Sequence, residues 1–127
     1  MDKNTESIKS YRDLGVWQKA MELAQKCYAS TAEFPQREVY GLASQIRRAA
    51  VSIPSNIAEG HSRRYRQAYL NHISIALGSQ SELETQIDLS CRLGFISKQS
   101  SEEILLMAAE VGRMLHGLVA SLERTGS

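Results

Sequence analysis

Apolar residues recur along this chain every three or four positions, in four long blocks broken by short polar, glycine- or proline-bearing segments. That is the period of a helix face, not the alternation of a strand. The first block places Leu14, Trp17, Met21, Ala24, Tyr28 and Thr31 on one stripe. Val16, Ala20, Leu23, Cys27 and Phe34 follow on a second stripe beside it. In the second block Ile46, Ala50, Ile53 and Ile57 share a face, with Pro54 inside the pattern. The third reads Tyr69, Ile73, Ala76, Gln80, Leu83, Ile87, and the fourth Ile104, Ala108, Val111, Leu115, Leu118, Leu122.

Stop and start signals turn these blocks into helices of about 13–32, 37–59, 63–93 and 100–123. Asp13 is the expected N-cap of the first helix, and Phe34-Pro35 ends it. Gly60 is a natural C′ residue for the second, and Ser62 is placed to cap the third, which Gly94 stops. Ser100-Ser-Glu-Glu103 fits a capping box for the fourth. Pro54 lacks a backbone donor, so the second helix is expected to kink there. Short connections between long helices favour antiparallel neighbours. The predicted fold is all-α, an up-down-up-down four-helix bundle. Residues 1–12 form a flexible N-terminal segment in this reading, 13–123 the bundle and 124–127 a tail.

Composition alters the picture little. A chain of 127 residues, 43% hydrophobic and 23% charged, is one ordinary globular domain. No uninterrupted apolar run is long enough for a membrane span, and the polar start does not read as a secretory signal. Cys27 and Cys91 lie far apart within helical patterns, as two buried reduced thiols in a cytoplasmic protein would. The apolar arcs on the first and fourth helices are wider than one bundle needs. A homo-oligomer follows from that excess.

Charge is uneven although its net value is +1. Residues 37–72 hold six arginines against Glu38 and Glu59, a local +4, while residues 73–127 carry a local −3. Such a dipolar molecule can meet an anion at one end, or its own copies through both. The densest cluster is His61, Arg63, Arg64 and Arg66. Cations at the start of a helix oppose its dipole and call for a compensating anion. A nucleic-acid phosphate would serve. So would Glu59 across the turn, or Glu102 and Glu103 of a neighbouring subunit. Tyr65 and Tyr69 lie close enough to stack on bases, though Tyr69 also fits the core stripe.

A second constellation is polar. Gln45, Arg48, Ser52 and Asn56 step along the second helix, and Ser79, Glu82 and Gln86 along the third. Folding about His61 sets Gln45 opposite Ser79 and lets Arg48 reach toward Glu82. The expected result is a buried hydrogen-bonded network, or a small-ligand pocket between these helices. Enzyme chemistry finds no support. His61, His72 and His116 sit on separate segments, and no Glu-x-x-His, Cys-x-x-Cys or Gly-x-Ser-x-Gly motif occurs. No metal and no cofactor is expected.

Asp13-Leu-Gly-Val-Trp-Gln-Lys-Ala20, Phe34-Pro35, Glu38-Val-Tyr-Gly-Leu42 and Gln45-Ile-Arg-Arg-Ala49 form a recognisable set. With Ser52-Ile-Pro-Ser-Asn-Ile-Ala-Glu-Gly60 and Gly78-Ser-Gln-Ser-Glu-Leu-Glu84, the chain resembles the bacterial four-helix-bundle proteins encoded in intervening sequences of 23S ribosomal RNA genes. The resemblance runs from about Ser10 to Leu122. It implies a bundle assembled into a homopentamer, with no established enzyme activity. A related branch, the accessory variability proteins of diversity-generating retroelements, binds nucleic acid and a reverse transcriptase through a strongly basic pentamer. This chain departs from that branch in its pI of about 7.8. The function expected is therefore a non-enzymatic, pentameric scaffold that presents the arginine cluster to RNA, DNA or a nucleic-acid-associated protein. The alternative is an oligomer with a small-ligand pocket between the second and third helices.

Overall fold

A computed structural model describes residues 9–125. The chain forms four helices, α1 (Gly15–Thr31), α2 (Leu42–His61), α3 (Arg66–Arg92) and α4 (Lys98–Arg124), and no strand among the described residues. Each helix packs on two others, α1 on α2 and α4, and α3 on α2 and α4, while the diagonal pairs stay apart. The core follows the predicted stripes of α2, α3 and most of α4 and the second stripe of α1. Met21 and Tyr28 of the first α1 stripe are instead exposed, and Leu118 and Leu122 are only half-buried. Leu23, Cys27, Ile46, Ile53, Ile57, Ile73, Leu83, Ile87, Ile104, Val111 and Leu115 are fully buried. Ion pairs step along α1 and α4 in opposite directions, Lys19 with Glu110 at 3.8 Å and Lys26 with Glu103 at 3.2 Å.

Several termini differ from the sequence reading. Asp13 does not cap α1. Its carboxylate accepts from the Ser10 backbone N–H at 3.2 Å, closing a capping box on a separate 3-10 turn, Tyr11–Asp13. That turn is packed, with Tyr11 edge-on to Trp17 at 5.3 Å, so residues 10–12 are structured. The rest of the expected flexible segment, residues 1–8, and residues 126–127 of the tail lie outside the described residues.

The second helix begins five residues later than expected. Gln36–Glu38 make a 3-10 turn, and α2 starts at Leu42, whose N–H is taken by the Glu38 carboxylate at 3.2 Å. A side chain four residues upstream does the work of a cap. The far end of α2 runs past Gly60 to His61. Gly60 does not stop the helix. It is buried, and a Cβ there would lie 2.8 Å from the His72 Cβ and 2.9 Å from Tyr69. Its lack of a side chain lets α3 approach. Ser62 bonds back to the Ala58 carbonyl at 3.0 Å instead of capping α3, which has Tyr65 at its N-cap and no side-chain cap. Gly94, at φ +80°, ends α3 as expected. Ser97, not Ser100, caps α4, its hydroxyl accepting from the Ser100 N–H at 3.1 Å.

α4 is long and apolar enough to cross a membrane by length and composition alone, and only 28% of its most apolar window is buried. It nevertheless supplies Ile104, Ala108, Val111 and Leu115 to the core. Neither cysteine is in a disulfide; Cys27 is buried, while Cys91 is only half-buried, contrary to the expectation for it.

Candidate functional site

Polar groups line up along the seam between α2 and α3. Asn56, half-buried on α2, donates its amide to the Ser52 carbonyl at 2.8 Å and to the Ser52 hydroxyl at 3.1 Å. That hydroxyl also shares a hydrogen bond with Ser79 Oγ at 2.8 Å, in which either oxygen can donate. On its other side Asn56 Oδ1 meets His72 Nδ1 at 3.0 Å. The His72 Nε2 lies 3.7 Å from the Glu59 carboxylate, and Glu59 pairs with Arg63 at 3.2 Å. Hydrogen bonds thus join Ser79, Ser52, Asn56 and His72, and the Glu59–Arg63 pair lies beside the far nitrogen of His72.

This register is two helical turns away from the one expected. Ser79 lies opposite Ser52, not Gln45, because α2 continues to His61 and the connection occupies Ser62–Tyr65. The turn therefore centres near Arg64. Gln45, Arg48 and Glu82 are exposed, and neither Arg48 nor Glu82 has an ion-pair partner among the described residues. The buried Arg48–Glu82 link is not formed. Those three residues instead border an open cleft of about 320 Å³ with Ala49, Ser52 and Ser79. Gln86, one turn along α3 from Glu82, is buried with its Oε1 unpartnered.

The arginine cluster occupies the α2–α3 connection. Arg63 and Arg64 precede α3, and only Arg66 stands in its first turn, so the dipole penalty is smaller than three helical cations would give. Arg63 is held by Glu59, whereas Arg64 and Arg66 are exposed without an ion-pair partner among the described residues. His61 ends α2, half-buried, with its ring edge-on to Tyr69 at 5.8 Å. Tyr69 packs against the core, and burial raises its phenol pKa. Tyr65 is 72% exposed and stands between the free arginines. No group of three His, Cys, Asp or Glu residues suited to a metal exists among the described residues.

Sequence reasoning left out His72 and Glu59 as members of the seam. His72, Ser79 and Gln86 share one heptad position on α3, a spacing that marks His72 as facing α2. A second omission is larger. Trp17, Met21 and Tyr28 of α1 face Val51, Pro54 and Ala58 of α2 across an apolar trough of about 530 Å³. A second hollow of about 590 Å³, bordered by Val39, Tyr40, Arg47 and Arg48, adjoins it at Tyr28 and Val51.

The chain matches the family described as 23S rRNA-intervening sequence protein over residues 12–117, a span that includes the seam and the arginine cluster. The chain belongs to this family. A solved structure it resembles is a protein of unknown function from the S23 ribosomal protein family of Bacteroides thetaiotaomicron, with TM-score 0.74 and 25% identity. The likeness covers 82% of this chain and 97% of that one. No curated protein matches the chain. Membership in the 23S rRNA-intervening sequence family agrees with the observed four-helix fold.

Proposed function

We propose that this member of the family is a non-enzymatic homo-oligomeric scaffold, a pentamer by resemblance, that works in the cytoplasm and offers its arginine rim to nucleic acid or a nucleic-acid-associated protein. The observation carrying this reading is the α2–α3 connection, where Arg64 and Arg66 flank the exposed Tyr65 without an ion-pair partner among the described residues. Arginines there contact phosphates, and the aromatic ring offers a stacking platform worth about 1–3 kcal/mol per base. His61 and Arg63 stiffen the rim through Tyr69 and Glu59. Two free thiols suit a reducing compartment. Oligomerisation is supported by the apolar trough and by Leu106, which is 71% exposed on α4.

Replacing Arg63, Arg64 and Arg66 together with alanine is expected to abolish a salt-sensitive mobility shift on RNA or DNA without changing the mass of the assembly. No shift by the native protein at low salt would remove the nucleic-acid reading, and loss of assembly in the triple variant would place the arginines at a subunit contact.

The cleft between α2 and α3 favours a second reading, a small-ligand site. Its opposite charges, Arg48 and Glu82, border one hollow without pairing. A metabolite bound there would raise the melting temperature of the native chain but not of Glu82→Ala.

A further inference from the structure

We infer that the α1–α2 trough is a socket for a second copy of this chain, and that the segment it takes is the outer ridge of α3 carrying Ile75, Glu82, Leu89 and Leu93. The inference rests on the oligomeric reading and adds which faces meet. The trough is lined by Trp17, Met21, Tyr28, Val51, Pro54 and Ala58, and the second hollow adjoins it at Tyr28 and Val51. Met21, Tyr28 and Val51 are all exposed in the isolated chain. An apolar surface of this extent on a helix pair marks a site of association.

The ridge is the complementary feature. Ile75, Glu82 and Leu89 recur every seven residues on α3, and Leu93 follows one turn later, so the four lie along one line. Ile75, Leu89 and Leu93 are each about half exposed, whereas Ile73, Leu83 and Ile87 on the same helix are fully buried. Trp17 to Tyr28 spans about 16 Å of α1, and Ile75 to Leu89 about 21 Å of α3, at 1.5 Å per residue. The lengths agree.

Charge fixes the pairing. Arg47 at the trough is tied internally, stacked on Tyr28 at 4.7 Å and donating to Thr31 at 2.9 Å. Its neighbour Arg48 borders the same hollow and has no ion-pair partner among the described residues. Glu82, midway along the ridge, is equally free and exposed. A ridge seated in a neighbour's trough would bring a glutamate to that arginine, the link that neither makes within one chain. Trough and ridge lie on adjoining sides of the four-helix square, not the same side. The contact is therefore heterologous, and each junction turns the next copy, so a rotation that divides a full circle gives a closed ring.

The test uses two capped variants of the full chain. Val51→Glu spoils the socket and leaves the ridge, while Leu89→Glu spoils the ridge and leaves the socket. Both sites are exposed, so each variant should keep native helicity by circular dichroism. Light scattering is expected to give an assembly for the native chain, single chains for each variant alone, and particles of two chains for their equimolar mixture. Adding Arg48→Glu to the Leu89→Glu copy should weaken that two-chain particle about tenfold or more. A mixture that stays at single-chain mass overturns the inference, as does a native assembly that neither variant disturbs, and both leave the oligomeric reading standing. A native chain of 14.1 kDa in dilute solution overturns both together.

Discussion

Asn56 and Ser52 carry the α2–α3 contact, because each bonds both to the other within α2 and to a partner on α3, Asn56 to His72 and Ser52 to Ser79. Truncating Asn56 strands the half-buried His72 Nδ1 and removes both bonds to Ser52. Asn56→Ala is expected to lower stability by about 1–3 kcal/mol in urea unfolding, the cost of leaving such groups unpaired. Arg48→Ala should change the stability of an unassembled chain by less than about 0.5 kcal/mol, since the exposed guanidinium has no ion pair to lose. Cys27 gives a pH dependence. Burial lifts its thiol from the usual 9.0 to about 12, so the folded chain keeps that proton after the unfolded chain has released it. Stability from this group is whole below pH 9 and declines as pH rises toward 12, by about 1.4 kcal/mol per pH unit. Alkaline unfolding of Cys27→Ala, compared with native protein, should show the shallower slope; equal slopes would mean the thiol does not contribute. The polar residues of the seam were readable in the sequence as a stripe, yet their partners were not. A one-dimensional stripe fixes a face, while partner choice depends on where the connection ends, and two turns of slippage separated Gln45 from Ser79.

Among the elements, the core stripes were legible because burial acts on every third or fourth residue and leaves a repeated mark. Helix ends rest on one or two bonds each, and several plausible caps compete. Ser97 prevails over Ser100 for α4, and Glu38 caps α2 from outside the helix. Ser97→Ala should therefore cost about 1 kcal/mol, and Ser100→Ala much less. Glycine shows the same competition. A helical Gly→Ala change normally gains about 0.5–1 kcal/mol, and Gly117, with nothing within 4 Å of its added Cβ, should show that gain. Gly60 should do the reverse. Its Cβ would meet the His72 Cβ at 2.8 Å and the Tyr69 carbonyl at 3.3 Å, neither the free end of a flexible chain. Overpacking of about 1–3 kcal/mol then outweighs the propensity gain. Thermal melts of the two variants moving in the same direction would contradict this account of the α2–α3 approach.

For the whole molecule, net charge conceals the distribution that matters. A chain at +1 overall has its positive excess on residues 37–72, which include α2 and the connection that follows it. Nucleic-acid affinity driven by that end should respond to salt according to the phosphates neutralised there, not to the overall pI. For duplex DNA each lost phosphate contact lowers the slope of log K against log salt by about 0.9. Arg64→Ala and Arg66→Ala should each reduce it by about that amount per engaged rim. Arg63→Ala should reduce it less, because its guanidinium is shared with Glu59 at 3.2 Å. Arg92→Ala, at the opposite end of α3, should leave it unchanged. Fluorescence anisotropy on one labelled duplex across a salt series separates these cases. Equal slope changes for Arg64, Arg66 and Arg92 would mean that diffuse charge, not the rim, holds the ligand. A smaller change for Arg63 than for its neighbours would tie the recognition surface to the Glu59 carboxylate, which engages Arg63 and leaves Arg64 and Arg66 to the ligand.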